Sequence, residues 1–329
     1  MNSPIFLLGA GFNCDAAAAA GPLFGNSIYI GRFPIAVSYP TVNELWGICF
    51  PTEIGRTISI ENRLQEELDR ENYIPIQNLC SHLFKCDYYL PNEIRDNNPT
   101  IYARFFDHFS TSHFVTFNYD SFPECFLVRR KRWYPHDGYG VPVEVGYPTK
   151  NLSSTNLILH LHGSLCVYES SFDLDQRDGT MWMEKRESSV FKCDPGSIGN
   201  RFPMNSRSSH SLGDPISDGE IPKRIIAPVP SKAKFVKEEF IRKSYEKALS
   251  LMAQSKCVVS IGYAFNELDR ASYEPILLQL SQTGGVSLIV ITPNAHEILN
   301  RIKERFPSIS FTPIPYTFAR WASLEFPIE

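Results

Sequence analysis

Short apolar runs, each closed by a glycine or a small polar residue, recur along the chain. Ile5–Leu8 ends at Gly9, Phe114–Phe117 at Asn118, and Asn156–Leu161 at His162. Cys257–Ile261 ends at Gly262, and Val286–Ile291 at Thr292. Runs this short and this apolar read as buried strands. Ile309–Phe311 offers one more. Between them lie stretches with helical spacing. Phe12–Ala20 is built of helix formers and is stopped by Gly21-Pro22. Phe235–Ala253 carries Phe240, Tyr245, Leu249 and Met252 on one stripe, and Leu268–Gln282 and Ala295–Phe306 continue in that style. Strands alternating with helices predict an α/β fold: a Rossmann-like, mostly parallel sheet covered by helices on both faces.

Two stretches break the alternation. Residues 52–110 space Ile58, Ile60, Leu64 and Leu68, then Leu79, Leu83 and Phe84, then Ile101, Phe105, Phe106 and Phe109 in a helical manner. They read as an inserted helical module. Residues 166–222 are rich in Ser, Asp, Gly and Arg, with Met181-Trp182-Met183 as the main apolar island. They read as a polar insertion, a lid or an interaction surface. The α/β domain is then assembled from 1–51, 111–165 and 223–329.

Composition narrows the function classes. The chain has 329 residues, of which 43% are hydrophobic and 21% charged, so a folded core is expected and wholesale disorder is excluded. The formal net charge of -4 argues against a general nucleic-acid binder. The one basic cluster, Arg129–Arg132, reads as a solvated helix end. No apolar stretch reaches the ~18–20 residues of a membrane span, and the N-terminus lacks the basic region of a signal peptide. Eight scattered cysteines without a C-x-x-C pair point to reduced thiols in a cytoplasm rather than to disulfides, and no metal-ligand cluster is visible.

The chemistry collects at the strand ends. Gly9-Ala10-Gly11, Asn118-Tyr119-Asp120, His162-Gly163-Ser164, Gly262-Tyr263 and Thr292-Pro293-Asn294 converge on one edge of the expected sheet, where open α/β sheets bind ligands. The first is not a standard dinucleotide fingerprint. Its third glycine position is Cys14, and residues 28–38 hold no Asp or Glu. It reads either as a phosphate cradle at a helix N-terminus or as a tight turn packed on the sheet. His162 reads either as a general base or as a structural histidine, while His160, two residues deeper on the same strand face, reads as a core histidine.

The segments Gly9-Ala10-Gly11-Phe12-Asn13, Thr116-Phe117-Asn118-Tyr119-Asp120, Leu161-His162-Gly163-Ser164 and Ile261-Gly262-Tyr263-Ala264-Phe265 come in the order and rough spacing of the sirtuin-like family. The chain most resembles that family's bacterial, NAD-hydrolysing, anti-phage branch. The resemblance covers 5–20, 114–165 and 225–295. It implies that His162 is the base and that Asn118 holds the nicotinamide ribose and the attacking water. It places Gly9, Ala10 and Gly11 at the pyrophosphate, Asp120 at the nicotinamide carboxamide, Gly262 at a phosphate or the adenine ribose, and Asn294 at the adenosine end. Phe12, Asn13, Asp15, Thr116, Gly163 and Tyr263 complete the implied NAD+ site. Asn13 and Ala264 depart from the family's serine-type residues. Cys166 and Cys193 do not supply the four-cysteine zinc module of protein-deacylating sirtuins.

The implied activity is NAD+ glycohydrolysis to nicotinamide and ADP-ribose, with NAD+ as substrate and no metal, depleting NAD+ in an abortive infection response. The implied setting is cytoplasmic, with a separate sensor protein and homo- or hetero-oligomers controlling activity, and without direct nucleic-acid or membrane binding. A weakly catalytic NAD- or ADP-ribose-binding regulatory subunit stays open beside it, as does an ADP-ribosyltransferase or deacylase.

Overall fold

The computed structural model describes residues 3–13, 28–30, 33–35, 42–53, 59–79, 82, 100–145, 152–164, 166–177, 180–193 and 239–328. The expected helix beyond Asn13, with Asp15, lies outside these residues, as do Ile58, Leu83, Phe84, residues 194–222 and the stretch 223–238.

The strands are β1 (Ile5–Leu8), β2 (Ile28–Ile30), β3 (Phe33–Ile35), β4 (His113–Thr116), β5 (Ile158–His160), β6 (Val167–Arg177), β7 (Thr180–Cys193), β8 (Cys257–Ile261), β9 (Ser287–Ile291) and β10 (Ser310–Ile314). Six of them form one sheet in the order β10-β9-β8-β1-β4-β5, and every neighbouring pair is parallel. Numbered within the sheet, this is 3-2-1-4-5-6, the doubly wound order whose switch point lies between the first and fourth strands. Here that point is the gap between β1 and β8. Phe6, Leu7 and Leu8 are all fully buried although successive side chains point to opposite faces, so both faces are covered. Each such side chain stabilises the fold by roughly 1.5–3 kcal/mol relative to exposure.

The helices are α1 (Val42–Cys49), α2 (Ile60–Asp69), α3 (Thr100–His108), α4 (Phe122–Arg129), α5 (Pro135–Gly138), α6 (Glu239–Met252), α7 (Arg270–Thr283), α8 (Ala295–Lys303) and α9 (Phe318–Ser323). Tyr102, Phe105 and Phe106 of α3 pack edge-on against Phe6, Phe12 and Phe114, so α3 belongs to the main core rather than to a separate module. The Tyr102 hydroxyl donates to the Phe12 carbonyl at 2.6 Å, tying α3 to the glycine turn. A second, smaller core gathers Trp46, Cys49 and Phe50 with Ile60, Leu64, Ile76 and Leu79. The helical module therefore begins before residue 52, with α1, and α3 leaves it for the sheet. Tyr119 packs against this small core, which brings it to the sheet edge.

Much of the polar insertion is strand, over Val167–Arg177 and Thr180–Cys193. β6 and β7 form a long antiparallel hairpin with a register shift between Ser170 and Phe172. Its base enters the main core through Cys166, Val167 and Cys193. The cluster Arg129–Arg132 does sit at a helix end, but only in part in solvent. Arg130 pairs with Asp107 at 2.6 Å and Arg132 donates to the Phe106 carbonyl at 2.9 Å, so both clamp α4 to α3. Among the described residues no helix is long and apolar enough to cross a membrane.

Candidate functional site

The switch point is closed by backbone on backbone. The Gly9 amide donates to Ile261 O at 3.0 Å and the Gly11 amide to Gly262 O at 2.9 Å. A Cβ on Gly11 would stand 2.7 Å from the Gly262 Cα, and one on Gly262 would stand 2.4 Å from both the Gly11 carbonyl carbon and the Phe12 nitrogen. Gly262 also has φ +63°, a region costly for other residues. Three glycines from two segments are thus needed for one close approach. The Phe12 amide donates to Gly9 O at 2.9 Å, so the amides of Gly9, Gly11 and Phe12 are all used inside the chain, while Ala10 is exposed. In this arrangement the glycines serve the contact between the turns.

Beside Gly9 stand two rings. Phe117, just after β4, and Tyr263, just after β8, stack face to face at 3.9 Å and 6°, and both are buried. Because β1 lies between these strands, the stack bridges the switch point.

Asn118 and His162 come from neighbouring strands. β4 and β5 pair with Thr116 opposite His160, and the Leu161 amide donates to Thr116 O at 2.9 Å. Asn118 and His162 each lie two residues beyond that pair, so the register carries them to the same edge. The His162 ring lies 5.2 Å from Phe117 and 6.3 Å from Tyr119. It is only 4% exposed, and its Nε2 is 3.0 Å from the Ser272 hydroxyl. Ser272 is itself buried in α7, and its carbonyl accepts from the Tyr245 hydroxyl at 2.9 Å. Asn118 is half-buried. Its amide nitrogen Nδ2 donates to Gly9 O at 3.1 Å, and its backbone amide donates to the Thr116 hydroxyl at 3.0 Å.

Beneath Asn118 lies a buried polar cluster. Asp120 accepts from the Phe122 amide at 3.0 Å and from Asn13 Nδ2 at 2.7 Å. Burial, with the Glu124 charge, pushes its carboxyl up to about 6 against the opposing pull of the Phe122 amide, His160 and Asn13. His160 Nε2 is 2.6 Å from Glu124 Oε1, with neither side chain exposed, and His160 Nδ1 is 3.1 Å from Asn118 O. Burial works against an imidazolium there, yet the charge and hydrogen bond of Glu124, with Asp120 and the Asn118 carbonyl, hold the His160 pKa above its ordinary value.

The structure therefore gathers Gly9, Ala10, Gly11, Phe12, Asn13, Thr116, Asn118, Asp120, His162, Gly163, Gly262 and Tyr263 around the ends of β1, β4, β5 and β8. Asn294 is at the end of β9, exposed, with its Oδ1 accepting from the Thr292 hydroxyl at 3.0 Å. Glu124 and Ser272 were not anticipated. Glu124 left a signal: it is the lone acid in the otherwise apolar segment Phe122–Val128. Ser272 left none, since its contact with His162 spans 110 positions. Among the described residues no group of three or more His, Cys, Asp or Glu side chains is placed to hold a metal ion.

No family model matches the chain, and no curated protein matches it either. Among solved structures it is similar to a mutant Sir2 homologue in complex with ADP-ribose, at 12% identity and a TM-score of 0.38, over 100% of this chain and 95% of that one. A likeness of that degree leaves function to be argued from the residues themselves.

Proposed function

We propose that the chain is an NAD+ glycohydrolase that depletes NAD+ in an anti-phage response. The observation that supports it best is the β4–β5 register, in which Asn118 and His162 each follow the Thr116–His160 pair by two residues at the carboxyl edge of a doubly wound sheet. The chemistry asks little more of a protein. The bond from C1′ to the pyridinium nitrogen breaks, its electron pair returns to the ring, and neutral nicotinamide leaves. Water forms the new bond to C1′ and gives up a proton. Asn118 places the ribose and the water, and His162 takes the proton as general base. Ser272 fixes the imidazole by its hydrogen bond to Nε2.

Control of such an activity falls to a separate sensor protein and to homo- or hetero-oligomer assembly. The module around Trp46 and Leu64 and the β6–β7 hairpin are the surfaces proposed for these contacts. Nicotinamide release is to be followed with the chain alone and co-expressed with its genomic neighbours. The expected result is release that His162→Ala and Asn118→Ala each abolish. Full release in both variants ends the proposal.

One observation favours a second reading, an NAD- or ADP-ribose-binding regulatory subunit. The amides of Gly9, Gly11 and Phe12 are already engaged and His162 is nearly enclosed, which suits binding without turnover. Tight calorimetric binding of ADP-ribose with no nicotinamide release in any partner context would select it.

A further inference from the structure

We infer that the buried His160–Glu124 pair is a positioning device for Asn118, setting the backbone from which its side-chain amide reaches Gly9 O. The inference rests on the glycohydrolase reading only for the meaning of Asn118; the hydrogen bonds stand without it.

The direction of the bonds follows from the acceptors. A carbonyl oxygen can only accept, so His160 Nδ1 must carry a proton toward Asn118 O. One further proton then lies between His160 Nε2 and Glu124 Oε1, 2.6 Å apart. A carboxylate can only accept, so Glu124 keeps a proton on Nε2 as well, and the ring donates from both nitrogens as an imidazolium, oriented by its second partner as functional histidines commonly are. Asn118 is thereby held at its carbonyl by His160, at its amide by the Thr116 hydroxyl, and at its side chain by Gly9 O. Each contact comes from a different strand end.

Stability does not account for the pair. An apolar pair of the same volume commonly serves a core at least as well as a buried ion pair. Glu124 Oε2 also has no hydrogen-bond partner, which a purely structural carboxylate would be expected to find. The titratable groups facing His160 are Glu124 from α4, Asp120 from the loop before it, and Tyr139, whose ring lies 5.7 Å away.

The test compares the full chain with His160→Gln, which keeps a donor for the carbonyl, and with the double variant Glu124→Leu/His160→Leu, which restores an apolar core. Melting temperature checks the fold, and kcat and KM for nicotinamide release are read separately. The double variant is expected to melt near the parent and to lose about a hundredfold in kcat with KM nearly unchanged, the scale of a small misplacement at a reacting centre. His160→Gln is expected to recover most of that loss. The Asn118 side-chain amide NMR signal, assigned by its disappearance in Asn118→Asp, should shift in the double variant and return in His160→Gln. If the parent releases no nicotinamide, the glycohydrolase reading fails and the NMR signal alone decides the inference. An unmoved Asn118 signal, or unchanged kcat in a folded double variant, overturns it.

Discussion

The two halves of the sheet bury different chemistry. On the β1–β4–β5 side, the described core encloses Asp120, Glu124, His160 and His162. On the β8–β9–β10 side, the buried polar groups of the strands and their helices are hydroxyls, such as Ser260 and Ser272, amid Val258, Val259, Leu288 and Ile291. Both halves are built of parallel strands, and β1, β4, β5, β8 and β9 all carry buried apolar runs. Among the described residues the far half is thus a stable sheet without a buried carboxylate or imidazole, while the near half carries four, with Asp120 and His162 of the proposed site among them. Asn118 and His162, the residues of the proposed chemistry, follow β4 and β5 on the charged side.

The largest expected effect comes from splitting the charged side. Glu124→Ala leaves His160 buried without its carboxylate and should cost about 3–5 kcal/mol in denaturant unfolding. A loss below about 1 kcal/mol would mean that the pair is solvated and that the two halves are alike. Next is the seam between the halves. Gly262→Ala forces a Cβ against Gly11 and Phe12 in a left-handed backbone and should cost at least about 3 kcal/mol.

The third prediction uses pH. Asp120 binds its proton more tightly in the folded chain, at about 6, than at its ordinary 3.8, because burial disfavours the charge. It therefore favours the fold below about pH 4, and that contribution, on the order of 3 kcal/mol, is lost as pH rises to about 6. His160 acts in the same sense at higher pH, since its raised pKa stabilises the protonated fold below 6.5 and that gain fades as pH climbs through the folded value. The urea midpoint of the parent should thus fall between pH 4 and 6 relative to Asp120→Asn, which removes the charge while Asn13, with its unpartnered Oδ1, can turn to meet it. Parallel curves for the two proteins would refute the assignment. Smallest is Ile289→Val in the far half, expected to cost about 0.5–1.5 kcal/mol with no pH dependence of its own.

Much of the scaffold was legible in the sequence because it is local. Ile5–Leu8 and Val286–Ile291 announce buried parallel strands by being apolar throughout, and the structure places them within a residue of the expectation. Gly9, Gly11 and Gly262 were legible as turns, but their mutual contact depends on the pairing of β1 with β8, which no local pattern carries. Asn118 and His162 were legible as strand-end residues for the same local reason. Partners were not. Phe105 and Phe106 mark α3 as amphipathic without saying which core receives them, and the sheet won them from the helical module. The β6–β7 hairpin was hidden because a polar segment with few apolar positions leaves its register unmarked.

The central claim is that Asn118 and His162 serve one sugar. The most direct measurement is an experimental structure of the chain with ADP-ribose. The ribose that loses nicotinamide is expected to lie within hydrogen-bond reach, about 3 Å or one water away, of both side chains, with the Phe117–Tyr263 stack beside it. ADP-ribose bound elsewhere, or a ribose touching neither residue, would contradict it.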